Sequence, residues 1–475
     1  MNNLIGRERE QEILKKAMTS SRSEFIVVYG RRRVGKTFLI KEFFNGKFDF
    51  SFVGTRLLNR RLQLRNFSNS LRKYSKSEFG PSLNNWFDAF DALSQMLENY
   101  HNTRKKVIFI DEMPWIESPK SEFVLALEHF WNSWANLRND IVFIACGSAT
   151  SWIVDKILHN KGGLFNRVTR HLYLRPFKLN EVELYLKHNG CNWDRYQIAQ
   201  CYMTLGGIPF YLTMLDPKLS LTQNIDSLFF SGDNSPLKVE YQELFSSLFN
   251  QPEKYSFIVK TLAEHREGMT RNEIIEHCKI SGAALTKTLH DLERCDFIFG
   301  YTRYGNKTNN VIYRIKDFYT LFYYKFVDKL SNYDKHQWAH MQTTPQVKSW
   351  QGFSYELLCL LHLDEIKNKL GLNVMLNNAS SWRASRKNSK GGQIDLVIER
   401  ADRIINLCEI KFSSYIYSID KAYEQKLKER EALFVEDTRT RFSTVLTMIT
   451  TFGIMDNQHS GIVSSQVILD DLFNY

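Results

Sequence analysis

Residues 30–37 read Gly30-Arg-Arg-Arg-Val-Gly35-Lys36-Thr37 and match the pattern GxxxxGK(S/T). The apolar run Phe25-Ile-Val-Val-Tyr29 precedes them and predicts a buried strand, and a helix is predicted to follow. In this setting the glycines let backbone N–H groups surround phosphate oxygens, and the helix N-terminus adds a partial positive charge. The stretch therefore predicts a loop that binds the phosphates of ATP.

The chemistry of phosphoryl transfer assigns roles within this loop. We expect Lys36 to reach the β- and γ-phosphates and Thr37 to ligate Mg²⁺. Nucleotide contacts are expected from Gly30, Arg31, Arg32, Arg33, Val34, Gly35, Lys36, Thr37 and Phe38.

A second predicted strand, Val107-Ile-Phe-Ile110, ends at the acidic pair Asp111-Glu112. We expect Asp111 to complete the Mg²⁺ shell and Glu112 to orient or deprotonate the attacking water. An acidic pair after a strand is more often the start of a solvated loop. Its position after a phosphate loop favours the role in ATP hydrolysis instead.

A third predicted strand, Ile141-Val-Phe-Ile-Ala145, leads to hydroxyl groups and then to arginines. Ser148 is the candidate contact to the γ-phosphate or the water, with Thr150 as the fallback, and the alternative is a helix N-cap. Arg167 or Arg170 is a candidate for stabilising transition-state charge, and the alternative is a surface salt bridge.

Length and composition bound the class of protein. The chain has 475 residues, which suggests about three domains. Apolar residues make up 43% and charged residues 24%, as in a globular protein, and the net charge of +11 permits a nucleic-acid partner. Seven scattered cysteines without a CxxC pair argue against a zinc site or a disulfide framework. Without a signal peptide or a membrane-length apolar run, we expect a cytoplasmic protein with no membrane partner.

The middle of the chain predicts a different arrangement. Residues 255–315 read as three helices followed by two strands, the order of a winged helix, with a capping-box spacing between Thr270 and Glu273. Three basic side chains fall on one face of the last helix, and two more lie near the tip of the wing: Lys287, His290, Arg294, Arg303 and Lys307. The pattern suits DNA, and an interdomain packing module with a solvated basic face is the equal alternative.

The C-terminal part predicts a hairpin that gathers charged groups. Gln393–Ile398 and Ile404–Ile410 flank a polar turn, which would set Asp395 opposite Glu409, with Glu409 and Lys411 on one face. Two carboxylates suit Mg²⁺, and a lysine can activate water or stabilise developing charge, which is the set that phosphodiester cleavage requires. The alternative is a surface ion-pair cluster.

Two stretches without acidic residues extend the positive character of the chain. One surrounds Trp382 and could follow a phosphate backbone; it contains Lys367, Lys369, Arg383, Arg386, Lys387 and Lys390. The other is read preferentially as a solvated helix face; it contains Arg56, Arg60, Arg61, Arg65, Arg72, Lys73 and Lys76.

Four motifs resemble those of the archaeal-type P-loop ATPases, which are related to the AAA+ and STAND groups. They are Leu4-Ile-Gly-Arg-Glu8, the loop at 30–37, Phe109-Ile-Asp-Glu112 and Gly206-Gly-Ile-Pro209. The resemblance implies that Ile5, Gly6 and Arg7 lie near the adenine, and that the turn at 206–209 belongs to a helical lid.

The C-terminal motif, Ile394-Asp395 followed by Glu409-Ile410-Lys411, resembles the PD-(D/E)XK nuclease core without its proline. The resemblance also implies a metal-binding glutamate on the preceding helix, for which Glu356 fits. The alternative for Glu356 is the polar face of an amphipathic helix.

Together these patterns predict an α/β fold in three parts. Residues 1–215 would form a P-loop NTPase domain with a parallel sheet and a helical lid. Residues 216–330 would form a helical linker and a winged helix, and residues 331–475 an α/β restriction-endonuclease-like domain. The expected function is a Mg²⁺-dependent ATPase coupled to DNA binding and DNA cleavage. The alternative is a nucleotide-controlled regulatory switch with an inactive nuclease-like scaffold. A homo-oligomer is expected if a neighbouring subunit supplies the catalytic arginine. Whether the protein binds a different protein partner is left open.

Overall fold

The computed structural model divides into two compact units, Met1–Pro176 and Phe177–Tyr475. The predicted boundaries after 215 and 330 both lie inside the second unit and stay predictions. Lys307, Arg386, Lys387 and Lys390, which were expected to face nucleic acid, lie outside the described residues. The structure describes residues 4–56, 58–100, 104–117, 121–148, 150–249, 251–305, 311–330, 334–373, 375–384 and 392–474.

A parallel sheet forms the centre of the first unit. Its strands are β1 (Glu24–Tyr29), β2 (Phe50–Val53), β3 (Lys106–Asp111), β4 (Ile141–Gly147) and β5 (Arg170–Tyr173). In the part of the unit that the structure describes, they lie in the order β2-β3-β4-β1-β5. The apolar runs predicted as strands are therefore central and buried, because helices cover both faces of a parallel sheet.

Helices pack against this sheet through aromatic side chains. Trp86, Phe123 and Trp131 are fully buried between helices and strands, and each large aromatic ring adds about 2–3 kcal/mol of apolar burial. The helices of the first unit are α1 (Glu8–Met18), α2 (Lys36–Phe43), α3 (Arg60–Ser75), α4 (Trp86–Glu98), α5 (Phe123–Ser133) and α6 (Thr150–Ile153). The basic side chains of α3 are exposed, as a solvated helix face requires.

The second unit begins with helices and contains two antiparallel or mixed sheets. Its helices are α7 (Leu179–His188), α8 (Arg195–Leu205), α9 (Pro209–Leu212), α10 (Leu221–Ile225), α11 (Pro236–Leu244), α12 (Pro252–Glu264), α13 (Arg271–Cys278), α14 (Gly282–Arg294), α15 (Phe318–Phe322), α16 (Gln337–Met341), α17 (Pro345–Leu361), α18 (Leu363–Lys369) and α19 (Lys421–Thr438). Its strands are β6 (Met269–Thr270), β7 (Ile298–Tyr301), β8 (Ile312–Ile315), β9 (Asn377–Arg383), β10 (Gln393–Arg400), β11 (Ile404–Lys411), β12 (Ser443–Thr450) and β13 (Ser465–Ile468).

Helices α12 to α14 lie beside a small antiparallel sheet in the order β6-β8-β7. Thr270 and Glu273 form the expected capping box at the start of α13. Ser281 occupies the N-cap position of α14, but its hydroxyl makes no capping hydrogen bond. The predicted order of helices and strands is present, and its assignment as a DNA-binding winged helix stays a prediction.

The C-terminal sheet has the order β13-β12-β11-β10-β9. Strands β10 and β11 form the expected antiparallel hairpin, and β12 and β13 add in parallel. Leu396 pairs with Cys408, so the same register carried one step further sets Asp395 across from Glu409. Directly opposed side chains in an antiparallel pair share a face, so the hairpin brings the two carboxylates together.

Two general features complete the description of the chain. None of the helices in the described ranges is long and apolar enough to cross a membrane. Each of the seven cysteines is a buried thiol.

Candidate functional site

The loop at residues 30–37 joins the carboxyl end of β1 to the N-terminus of α2 through two glycines in the left-handed region. Gly30 has a φ of 142° and Gly35, the N-cap of α2, has a φ of 89°. A Cβ on Gly30 would lie 2.3 Å from the carbonyl oxygen of Leu174, the residue after β5. This position therefore requires glycine for both its torsion angle and its close packing.

We expect Gly30→Ala to lower the free energy of unfolding by about 3 kcal/mol, because the methyl group adds an overlap to a strained φ. Gly46→Ala is the matched control, since Gly46 also has a positive φ but open space around its Cα, and its cost is about 1 kcal/mol. Urea denaturation followed by tryptophan fluorescence measures both. Equal losses in the two variants would contradict the packing argument.

Lys36 is buried inside the loop. Its Nζ donates hydrogen bonds to the carbonyl oxygens of Gly30, at 3.0 Å, and Arg31, at 2.8 Å. The side chain of Arg31 is also buried. The ammonium group is therefore held where phosphate oxygens are expected, and a bound phosphate would replace carbonyl contacts with stronger charged ones.

The remaining residues of the loop differ in exposure. Val34 is buried, Arg32 and Arg33 are partly exposed, and Arg33 has a φ of 73°. Phe38 is 52% exposed on α2. Their contacts with a nucleotide stay predictions.

Thr37 and Asp111 meet beside the loop, as their assignment to one metal shell requires. The Thr37 hydroxyl donates to the Oδ2 of Asp111 at 2.7 Å, and the backbone N–H of Glu112 donates to Oδ1 at 2.9 Å. Asp111 is buried. A hydroxyl and a carboxylate are hard oxygen donors, so the residues present fit Mg²⁺.

Glu112 and Ser148 form the second contact of this site. The Ser148 hydroxyl donates to the Oε2 of Glu112 at 2.9 Å, linking the ends of β3 and β4. Glu112 itself has a φ of 45°, an uncommon conformation for a non-glycine residue that is found at functional sites. The hydroxyl of Ser148 thus orients a carboxylate. Beneath it, burial raises the pKa of the Cys146 thiol well above its usual value.

Arg7 links the phosphate loop to the segment that follows β5. Its guanidinium donates to the carbonyl oxygens of Val34, at 3.2 Å, and Arg175, at 2.7 Å. Sequence reasoning placed Ile5, Gly6 and Arg7 near the adenine and missed this bracing role, because nothing local links residue 7 to residue 175. The adenine contact stays a prediction.

The two candidate arginines lie at the other end of the sheet. Arg170 forms an ion pair with Glu24 at 3.1 Å, at the start of β1. Since Arg170 pairs in register with Ile26, it lies roughly 13 Å along the strand from Gly30. Arg167 is exposed in the segment before β5. Arg170 therefore makes the salt bridge that was the alternative, and the catalytic role of Arg167 stays a prediction.

Glu409 is the most highly bonded carboxylate of the C-terminal site. Its Oε1 lies 2.7 Å from the Nζ of Lys411 and accepts a hydrogen bond from the Tyr423 hydroxyl at 2.6 Å. Its Oε2 accepts from Arg430 at 2.6 Å. Burial works to raise the pKa of Glu409, but the charges of Lys411 and Arg430 lower it overall.

Sequence reasoning missed Tyr423 and Arg430, both on α19. Their spacing of two helical turns places them on one face, but only the packing of α19 against the sheet shows which face meets β11.

Asp395 and Glu356 stand next to this pair and keep their protons more strongly. Asp395 accepts a hydrogen bond from the backbone N–H of Ile410 at 3.2 Å. Burial and the charge of Glu409 raise the pKa of Asp395 to about 6. Burial and the charge of Asp395 raise the pKa of Glu356, on α17, to about 8. The predicted carboxylates are therefore neighbours, and a cation between them would offset their repulsion.

The carboxylates do not form a ready metal cage. Among the residues that the structure describes, no group of three or more His, Cys, Asp or Glu side chains is arranged to hold a metal ion. Both oxygens of Glu409 accept hydrogen bonds from protein groups. Metal binding by Glu356, Asp395 and Glu409 stays a prediction, and it requires Glu409 to exchange a protein contact.

The strand, glycine loop and helix at 24–43, together with Thr37, Asp111 and Glu112, define a P-loop nucleotide-binding domain. Residues 4–215 match the family described as an ATPase domain predominantly from Archaea. This match supports a nucleotide-binding ATPase domain in residues 4–215.

Three known proteins are similar to the chain. The chain is 24% identical over 447 residues to an uncharacterized protein of Methanocaldococcus jannaschii, covering 93% of this chain and 95% of that one. An uncharacterized ATP-binding protein of the same archaeon is 44% identical over 43 residues, 9% of this chain and 73% of that one. Among solved structures, the Walker-type ATPase of Pyrococcus abyssi is similar over 68% of this chain and 96% of that one, with 15% identity and a TM-score of 0.48.

Proposed function

We propose that the protein is a Mg²⁺-dependent ATPase whose nucleotide state controls DNA binding, and that its C-terminal site cleaves DNA. The observation that carries the ATPase mechanism is the contact of Glu112 with Ser148, beside the Thr37–Asp111 pair. These contacts support a proposed base, metal shell and phosphate loop at one edge of one sheet.

In the proposed reaction, water attacks the γ-phosphate in line with the leaving oxygen. Glu112 orients this water and accepts its proton, and Ser148 fixes the carboxylate. Lys36 neutralises charge that develops on the phosphate oxygens. Thr37 and Asp111 would hold Mg²⁺, which would supply positive charge to the phosphate oxygens.

Support for DNA binding comes from the arrangement of charge on α14. Lys287 and His290 are exposed on one face. Asp291, an acidic residue of the same helix, is buried and accepts a hydrogen bond from Tyr255 at 2.7 Å. Glu293 accepts from a backbone N–H of β7. The acidic side chains therefore bond inward, and the exposed face is free to meet phosphates.

We expect Lys287→Ala to weaken binding of duplex DNA about 3- to 10-fold and to reduce the salt dependence of binding by about one counterion. Fluorescence anisotropy at several salt concentrations measures both quantities. Lys47→Ala, an exposed lysine of the first unit, is the control and should keep the wild-type slope. An unchanged affinity in Lys287→Ala would favour the packing-module alternative.

A second candidate function follows from the bonding of Glu409. Because Lys411, Tyr423 and Arg430 occupy its oxygens, the C-terminal domain also fits a catalytically inactive scaffold. The protein would then be a nucleotide-controlled switch that binds DNA or protein. Metal-dependent cleavage that requires Asp395 separates the two functions.

The proposal includes a catalytic arginine supplied by a neighbouring copy, for which the exposed Arg167 is the candidate. If this arginine acts on a neighbouring copy, specific ATPase activity rises with protein concentration.

The proposal also includes a location of the protein in the cytoplasm.

A further inference from the structure

A basic cavity of about 310 Å³ lies in the second unit, between the three-stranded sheet and the C-terminal sheet. The loop after β7 joins the edge of β9, where the backbone N–H of Tyr304 donates to the carbonyl oxygen of Ser381 at 2.8 Å. Arginines from both parts line the cavity: Arg266, Arg303, Arg314 and Arg383. The cavity is therefore built jointly by the segment predicted as a winged helix and the nuclease-like segment.

Arg314, on β8, is the unusual member of this group. Its side chain is 9% exposed, and its Nη2 is buried without a hydrogen-bond partner among the described residues. The guanidinium lies over the ring of Phe353, 4.7 Å from its centroid. Leaving a buried cationic donor without a partner is unfavourable, so the arrangement fits a site that receives an acceptor from a ligand.

Within the described ranges, four arginines and three carboxylates line the cavity, so its positive groups are in slight excess. Arg383 pairs with Glu267, which also lies 3.9 Å from Arg303. Glu356 and Asp395 also line the cavity, and the charge of Arg314 acts on the carboxyl group of Glu356. A planar guanidinium has the fork of donors that phosphate oxygens accept in pairs. A phosphate at Arg314 would thus lie beside the two carboxylates predicted to act on phosphodiesters.

We propose that this cavity binds a phosphate group of a nucleic-acid strand, with Arg314 as its main donor and Arg303 as a second one. The source of the phosphate rests on the proposed nucleic-acid function. The affinity of the cavity for phosphate does not depend on whether any bond is cut.

The test measures binding of a fluorescein-labelled 20-nucleotide single-stranded DNA to the full chain by anisotropy, in EDTA and without ATP. We expect Arg314→Gln to raise Kd about 10-fold, the loss of one charge-assisted hydrogen-bonding group. Arg303→Gln should raise it about 3-fold or more. Arg441→Gln, an exposed arginine that does not line the cavity, should change Kd less than about twofold, the effect of one distant surface charge.

Two further variants keep the test decisive. Arg314→Lys retains the charge without the fork and should give an intermediate Kd. If thermal unfolding shows that Arg314→Gln destabilises the fold, Arg303→Gln decides, since its side chain is a third exposed. Inorganic phosphate should displace the oligonucleotide from wild type better than chloride at equal ionic strength, and this preference should weaken in Arg303→Gln.

Each outcome bears on one claim. Wild-type affinity in both arginine variants would overturn the cavity as a binding site. A second outcome is that Arg314→Gln abolishes the preference for phosphate and leaves oligonucleotide affinity unchanged. That result would contradict the claim that the bound phosphate belongs to a nucleic-acid strand. An absence of cleavage by wild type in Mg²⁺ or Mn²⁺, together with weakened binding in Arg314→Gln, would refute the nuclease and retain the cavity.

Discussion

Glu112→Gln should lower kcat for ATP hydrolysis by about 10²- to 10⁴-fold while ATP affinity stays within about threefold of wild type. The amide keeps the size of the side chain but cannot accept the proton of the attacking water. ATP affinity is preserved because Lys36 and the glycine loop supply the contacts to phosphate. Single-turnover hydrolysis and equilibrium binding of a fluorescent ATP analogue separate the two quantities.

The control for this substitution is Glu12→Gln on α1, an exposed glutamate with only a surface ion pair to Lys16. It should retain wild-type turnover. Ser148→Ala should lower kcat about 3- to 10-fold, as expected for loss of one hydrogen bond that orients the base. Full activity in Glu112→Gln would remove Glu112 from the mechanism.

Asp395→Asn should lower metal-dependent DNA cleavage by about 10³-fold or more, since the substitution removes a carboxylate from the proposed metal shell. Asp402→Asn is the matched control in the same hairpin, because Asp402 is partnered by Arg400 at the turn. Nicking of supercoiled plasmid in Mg²⁺ or Mn²⁺ measures the rate. Equal cutting by the two variants would assign any nuclease activity to another site or to a contaminant.

The same site predicts a pH dependence. Because burial and Glu409 raise the pKa of Asp395 to about 6, its metal-binding form is scarce below this pH and dominant above it. Cleavage should therefore rise about tenfold per pH unit below pH 6, and more gently up to about pH 8, where Glu356 also loses its proton. A rate that falls between pH 5 and pH 7 would contradict deprotonation of Asp395 as the requirement.

The local and paired features of the protein were predictable from its sequence. The GxxxxGK(S/T) pattern follows a strand and begins a helix, so Lys36 and Thr37 could be placed without knowledge of the rest of the chain. The carboxyl ends of neighbouring parallel strands share an edge, which is why Thr37, Asp111, Glu112 and Ser148 meet. The hairpin register followed from the symmetry of Asp395 and Glu409 about a polar turn.

Contacts between distant segments were not predictable in the same way. The brace from Arg7 to Arg175 and the bonds from Tyr423 and Arg430 to Glu409 depend on how helices pack against sheets. Arg170 had the right spacing for a catalytic arginine, but the sheet direction places it at the end away from the loop. Arg314 gave no signal, because an arginine in a strand is usually a solvated side chain.

The most direct test is whether ATP controls DNA binding and DNA cleavage by the protein. DNA binding and Mg²⁺-dependent plasmid cleavage are measured with and without ATP for wild type, Lys36→Ala and the control Lys41→Ala, an exposed lysine on the same helix. We predict that ATP changes both activities in wild type and Lys41→Ala but has no effect in Lys36→Ala, whose ATP turnover falls on the order of 10²- to 10³-fold. DNA binding and cleavage that do not respond to ATP in wild type, with ATP hydrolysis intact, would contradict the coupling.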